Sequence, residues 1–352
     1  AAPPFVSRFT GQVDWKVRDL NCNPDFPQTA TNISWFIEKT LKFKPDIILA
    51  VNDRLIESLL VEDKGLLLDG QNITAESFQK ELATNSPSTI YQKLIDYYLD
   101  AFFGHERSLV FFGRVLAKQS EEDQLYFWTS DSDIEKSFIG RSYAGSVYPH
   151  VCHGGLSSVA NCLSQTTYLN VSNFSFLPLS NILQRKILHS AWLEPNRVLH
   201  EYLVQYQFTE NLTDVNRTLN EIIQLYAPAG SVLDQILLDD KSISIRLVTQ
   251  QRDNDLERFQ IPISLTANQP HSLVIKFITF LDKPILVPFA YSLTEYRQPG
   301  LLNQSSELNI KIPDKARPAV ITEQVTSGQN NLGIVLPPRT STFGVSFVLG
   351  SQ

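Results

Sequence analysis

The stretch KILHSAWLEPNRVLHEYLVQYQF, Lys186 to Phe208, limits the fold more than any other part of this sequence. Two runs rich in β-branched and aromatic residues flank the turn-forming dipeptide Pro195-Asn196, which is the pattern of a β-hairpin. The surroundings continue in the same manner. TTYLNVSNFSF (166–176) is extended, and further hairpin-like runs lie in SISIRLVTQQRDNDLERFQIPISL (242–265), where polar QRDND reads as the loop, and in HSLVIKFITF (271–280). Prolines at 285, 288, 299, 313, 318, 337 and 338 then leave little room for helices.

Upstream the pattern changes. After Pro27 the apolar positions Ala30, Ile33, Ile37 and Leu41 recur at spacings of three and four, predicting a helix with one buried face. Asp25 stands where an N-cap stands, and a proline in the first turn sacrifices no needed donor. DIILAVN supplies five consecutive apolar residues, Ile47 to Val51, expected as a strand covered on both faces of a parallel sheet. DRLIESLL predicts a helix burying Leu55, Leu59 and Leu60. KGLLLDGQNIT predicts a short strand turning at Asp69-Gly70, and Thr74 caps a helix with Glu76 in its first turn. A helical pair over about 88–118, broken near Gly104, leads to a closing strand at 124–130.

A chain of 352 residues exceeds one ordinary core. The division expected is 1–165, an α/β domain with a mixed or parallel sheet, and 166–352, a β-rich domain. The latter, from roughly Arg185, reads as an antiparallel sandwich of immunoglobulin-like type, with one small helix at NRTLNEIIQLY (216–226).

Composition narrows the function. The 30 basic and 37 acidic residues give a net charge of -7, without the Lys/Arg cluster that a nucleic-acid partner requires. No apolar run reaches the length that crosses a bilayer. The sequence has no Met, and AAPPF resembles what remains after cleavage behind small residues, so a removed signal or anchor is expected. Of the three cysteines, Cys152 and Cys162 close the loop CHGGLSSVANC, which suits a disulfide in an oxidising compartment. The rival is zinc at His150, Cys152, His153 and Cys162, whose spacing fits the usual paired ligand units poorly. Seven Asn-x-Ser/Thr sites, at Asn32, Asn72, Asn170, Asn173, Asn211, Asn216 and Asn303, are expected on surface loops.

VRDLNCNPDFPQTATNISWFIEKTLKFKPDIILAVNDRLIESLL, the GLLLDGQNITAESF turn and YSLTEYRQPG (Tyr291 to Gly300) resemble the bacterial envelope proteins of domain-of-unknown-function family 4012. In that family an Arg-Asp pair, a Pro-Asp-Phe-Pro segment, a helix with an aromatic pair and a buried Val/Ile strand recur. Its members usually begin with a transmembrane helix and an Arg-Pro-Thr-Gly-Gly strand region, which this sequence lacks. Asn52 replaces a frequent Asp, and Cys22 a large apolar residue. More distantly, the α/β half is similar to the LytR-CpsA-Psr domain, incomplete here at its N-terminus. That domain transfers glycopolymers from polyprenyl pyrophosphate carriers, using Arg and Asp residues around a pyrophosphate and magnesium.

The polar cluster Arg18, Asp19 and Asp25 is the ligand-binding candidate. Arg18 could hold a phosphate while Asp19 and Asp25 offer oxygen ligands to magnesium; structurally, Asp25 caps a helix and Arg18 pairs locally. GHERS (104–108) suits solvation of a helical corner better than acid-base work. The resemblance implies an extracytoplasmic or membrane-attached protein of the cell surface, whose partners are envelope components or further copies of itself. Because the stretch Thr74 to Lys118 offers only Arg107 and Arg114, without the spacing of the LytR-CpsA-Psr arginines, the reading leans to a non-catalytic protein with no certain cofactor. Membrane attachment would come only through a segment absent from this chain. The alternative is a magnesium-dependent phosphotransferase or glycopolymer-binding protein of LytR-CpsA-Psr type, which requires Arg18, Asp19, Asp25 and either Arg54 or Arg114 to converge on one cleft.

Overall fold

Helix α1 (Phe26–Leu41) begins where Asp25, in extended backbone, accepts a hydrogen bond from the Gln28 N–H at 3.1 Å. It ends at Lys42, which adopts a left-handed conformation and returns its N–H to the Glu38 carbonyl. Its buried side is narrower than the spacing predicts: Phe26, Thr29, Ala30 and Ser34 are buried, whereas Leu41 is exposed. The structure, a computed structural model, describes residues 20–21, 23–84, 87–104, 109–152, 156, 161–173, 183–209, 218–286, 288–299, 304–313, 316–321, 326–328, 331–337 and 339–349. The chain divides into two compact units between Ser146 and Val147. Position 165/166, where the sequence changes character, falls inside a strand of the second unit.

The first unit continues with β1 (Ile47–Val51), α2 (Asp53–Asp63), β2 (Leu66–Leu68), β3 (Gln71–Ile73), α3 (Ala75–Thr84), α4 (Pro87–Phe103), α5 (Leu109–Glu121), β4 (Leu125–Thr129) and α6 (Ser132–Gly140). The β2–β3 turn puts Asp69 and Gly70 both at positive φ, 52° and 80°, as a two-residue hairpin loop demands. At the start of α3, Thr74 Oγ1 accepts from the Ser77 N–H while Ser77 Oγ accepts from the Thr74 N–H, a reciprocal cap. Leu55, Leu59, Leu60, Phe78, Leu94, Phe112 and Leu125 form the main core.

The strand expected in a parallel sheet is instead antiparallel. β1 pairs with β4 from Ile47↔Thr129 to Val51↔Leu125. Nor is β1 covered on both faces, since Ile47, Leu49 and Val51 are exposed while Ile48 and Ala50 pack with Phe26, Ala30 and Trp128. A run of apolar residues specifies a strand but carries no information about its neighbour's direction.

The second unit is mostly β-sheet, so the chain as a whole mixes helices and strands with strands prevailing. Its strands are β5 (Cys162–Asn173), β6 (Leu183–Glu194), β7 (Arg197–Phe208), β8 (Thr218–Pro228), β9 (Ser231–Leu238), β10 (Lys241–Ser242), β11 (Thr249–Asp253), β12 (Leu256–Thr266), β13 (His271–Phe280), β14 (Phe289–Tyr296), β15 (Gln304–Lys311), β16 (Ala316–Ile321), β17 (Thr326–Gly328), β18 (Asn331–Val335) and β19 (Ser341–Leu349). They form an eight-stranded sheet, β10-β9-β13-β7-β6-β15-β18-β17, and a seven-stranded sheet, β11-β12-β8-β5-β14-β19-β16. The β6–β7 hairpin closes at Pro195-Asn196, with Glu194 opposite Arg197.

Three expectations change here. The sandwich is not purely antiparallel, because β14 pairs with β5 and β15 with β6 in parallel, and its sheets hold more strands than the seven to nine of an immunoglobulin domain. The small helix expected at 216–226 is, over its described residues 218–226, the interior strand β8. Its residues from Leu219 to Tyr226 are nearly all buried, so apolar positions 219, 222, 223 and 226 satisfy a helical spacing by accident of being covered on both faces. The QRDND loop is tighter than its composition suggests: only Asn254-Asp255 turns, at φ 48° and 60°, and Gln251 to Asp253 belong to β11.

Two apolar clusters fill the space between the sheets. One gathers Tyr202, Val204, Tyr206, Ile223, Leu225, Phe259 and Phe277; the other gathers Ala191, Val198, Tyr291, Leu293, Leu308, Phe343 and Phe347. Burial of each large side chain contributes roughly 1.5–3 kcal/mol.

Candidate functional site

Along the inner face of β6 the residues are Leu183, Arg185, Ile187, His189, Ala191 and Leu193, and β7 presents His200 and Tyr202 to the same interior. Charged and polar groups therefore occupy positions whose phase in the strand is that of the core. The opposite sheet answers with Glu221 on β8 and Glu295 on β14, both buried.

Arg185 Nη2 donates to Glu221 Oε1 at 2.6 Å, with side chains 4% and 0% exposed. The guanidinium lies 5.8 Å from the centre of the Tyr206 ring. Glu295 collects three hydrogen bonds, from Thr167 Oγ1 at 2.7 Å, Tyr202 Oη at 2.8 Å and His189 Nδ1 at 2.8 Å. On the far side of the same ring, His189 Nε2 lies 3.0 Å from His200 Nδ1, within hydrogen-bond reach. His200 Nε2 has no partner among the described residues. Burial, and then the proximity of His189, hold the His200 imidazolium well below its ordinary pKa, so this ring is neutral. Burial and the Glu295 charge push the Tyr202 phenol well above its ordinary value. The rings stack flat, His189 on Tyr202 at 4.1 Å and His200 on Phe277 at 4.5 Å.

This polar seam joins the sheets at the boundary between the two apolar clusters. Its pairs are sealed from solvent, so their chemistry is fixation of one sheet against the other. Sequence reasoning missed them: the histidines look scattered until strand phase shows that His189 and His200 face inward together with Arg185.

Glu295 to Gln298 of the EYRQPG run are equally engaged in holding the fold. Glu295 belongs to the seam, and the Tyr296 hydroxyl lies 2.9 Å from His150 Nε2. Arg297 Nη2 donates to the Gln304 carbonyl at 3.3 Å. The Gln298 amide accepts from the Val171 N–H at 2.7 Å and donates to the Val171 carbonyl at 2.8 Å, completing a strand-like pairing with β5.

Of the sequence candidates, Arg18 and Asp19 lie outside the described residues, as do His105 to Ser108 and His153. Asp25 is buried and caps α1, its own N–H donating to Asn23 Oδ1 at 3.0 Å. Glu135 of α6 stands near it. Burial, then the Asp25 charge, raise the Glu135 carboxyl above its ordinary pKa, against a lowering hydrogen bond from the Thr129 N–H. Arg54 pairs with Glu57 at 3.4 Å within α2, and Arg114 of α5 bridges to Glu62 of α2 at 2.6 Å. The capping role gives an expected outcome: Asp25→Ala lowers the stability of the first unit by about 1 kcal/mol while Asp25→Asn, which can still cap, lowers it by much less. Urea titrations of the two variants check this, and equal losses would reject the capping account.

Cys152 and Cys162 are joined in a disulfide, which removes both sulfurs from any zinc set. Among the glycosylation motifs, Asn32 lies within α1 and Asn72 in β3, while Asn170 is buried in β5 rather than displayed on a loop.

The fold and seam define a two-unit protein, mixed α/β and mostly β, whose larger unit packs two extensive sheets around a buried ion pair and a buried hydrogen-bonded cluster. No family model matches the chain. No curated protein matches it either. Among solved structures it is similar to a candidate nutrient-binding protein of Legionella pneumophila, with 7% identity over 52% of this chain and 71% of that one, at a TM-score of 0.35. It is similar to leukotriene A4 hydrolase of Saccharomyces cerevisiae, with 9% identity over 50% and 31% of the respective chains, at 0.30. An M1 zinc metallopeptidase of Deinococcus radiodurans gives 12% identity over 47% and 42%, at 0.26. The chain spans less than half the length of these two enzymes, and similarity this slight carries no argument about activity.

Proposed function

We propose that this chain is a non-catalytic extracytoplasmic protein of the cell envelope, acting through contacts with envelope components or with further copies of itself. The observation that carries the reading is the Cys152–Cys162 disulfide, since structural disulfides form and persist in oxidising compartments and are rare in reducing ones. The seam agrees with it: its ionisable groups hold two sheets together instead of facing a substrate. The proposal includes membership of family 4012, supported by the Pro-Asp-Phe-Pro entry to α1 and by the EYRQPG run. It also includes a LytR-CpsA-Psr-like origin for the first unit, supported by its alternation of helices with β1 and β4.

Location is tested in cells of the source organism. Thiols are blocked with a membrane-permeant alkylating agent before lysis, and Cys152 and Cys162 are read by mass spectrometry. Recovery of both as one disulfide-linked peptide supports the proposal; recovery of both as alkylated thiols rejects it.

A further inference from the structure

Strand β1 is built like the middle of a sheet and placed at its edge. One face, Ile48 and Ala50, packs under α1 with Phe26 and Ala30. The other face carries Ile47, Leu49 and Val51, paired across to Thr129, Phe127 and Leu125 of β4, of which Leu125 and Phe127 join the core formed with α2 and α5. Helices thus cover the sheet on both sides at β4. At β1 that cover runs out, and Ile47, Leu49 and Val51 are 62%, 52% and 46% exposed. Among the described residues no strand pairs with the second edge of β1. On β4 the corresponding side is engaged, with the Phe127 N–H donating to the Tyr143 carbonyl at 2.9 Å.

Natural edge strands are protected by charge, proline, bulges or brevity. Residues 47–51, IILAV, use none of the first three, and a two-stranded ribbon is short of the number of strands that makes a stable sheet. Such an edge is a template for a further strand.

We infer that the edge of β1 pairs with β1 of a second copy of this chain, antiparallel about a two-fold axis at Leu49. The occupant follows from the sequence of the strand itself. Around Leu49 the segment is self-complementary: Ile47 falls opposite Val51 of the other copy, Ile48 opposite Ala50 and Leu49 opposite Leu49, with no charge inside the strand. The nearest charge, Asp46, falls opposite the neutral side chain of Asn52. The same patch on both partners closes a dimer and leaves no open end. The resulting sheet, β4-β1-β1-β4, has four strands and sets the two aliphatic rows side by side on one face, where each Ile47 packs against Val51 of the other copy. This deepens the self-association part of the proposed function but stands on the strand edge alone, whatever compartment the thiol measurement finds.

Sedimentation velocity over about 1 to 100 μM, the range of specific but exchangeable association, tests it together with hydrogen exchange of the β1 amides. The expected result is a concentration-dependent dimer in which those amides are slowed. Leu49→Arg and, separately, Ile47→Lys each raise the dissociation constant by about 100-fold or more, since each puts two charges into the shared strand pair. Both positions are exposed in the monomer, so each variant keeps its fold, checked by circular dichroism. A monomer throughout with fast β1 exchange overturns the inference and leaves the edge to a strand of different sequence. A dimer unaffected by either variant overturns it as well, because the interface then lies elsewhere.

Discussion

Arg185→Met is expected to lower the stability of the second unit by about 3–5 kcal/mol, the usual loss when one member of a buried ion pair is removed. Glu221 is left behind as a carboxylate with no exposure, in the interior between the sheets. Adding Glu221→Leu is expected to recover most of that loss. With both charges gone nothing is desolvated without a partner, and an apolar pair of similar volume is often as stable as the ion pair it replaces. The double-mutant cycle therefore separates the cost of an orphaned charge from the net contribution of the bridge. Hydrogen exchange of peptides from β6 and β7 during urea titration reads this unit alone. Equal stability of Arg185→Met and the parent would show that water reaches Glu221 and that the seam is not sealed.

The other large effect concerns pH. His200 is neutral in the folded protein because burial, and then His189, depress its pKa well below 6.5. The unfolded chain therefore binds a proton here that the folded one does not. The stability that His200 contributes is complete above pH about 6.5 and is lost as pH falls from there towards the folded value, at about 1.4 kcal/mol per pH unit. The groups facing its ring are His189 from β6, Phe277 from β13 and, one hydrogen bond further, the Glu295 carboxylate from β14. Replacing His200 by Phe removes the titrating ring while keeping a flat partner for Phe277. Stability profiles of parent and variant between pH 7.5 and 5 (roughly the span in which an unfolded histidine titrates) should diverge by that slope on acidification. Parallel profiles would mean that His200 takes up its proton in the folded protein without cost.

The stretch PDFP was legible as a helix entry because capping is local: a short acceptor, a proline in the first turn and an apolar run lie within a few residues of each other. The hairpin at Pro195-Asn196 was legible for the same reason. β8 was misread because a strand buried on both faces loses its period of two, and its apolar residues then fit a helix equally well. The seam was illegible for a different reason. Glu295 lies 106 residues from His189 and 128 from Thr167, and no pattern within a single strand says that these residues meet.

By itself, then, the sequence determined where most helices and strands begin and turn, because caps, tight turns and apolar periods act over a few residues. It also placed the disulfide, whose loop is short enough to be read as a unit. The tertiary structure alone decided which strands are neighbours, including the two parallel pairings, and which of the inward-facing charges neutralise one another. It alone left β1 at an edge. Those choices depend on contacts between segments far apart in the chain, where the free energy of pairing belongs to both partners and is written in neither one.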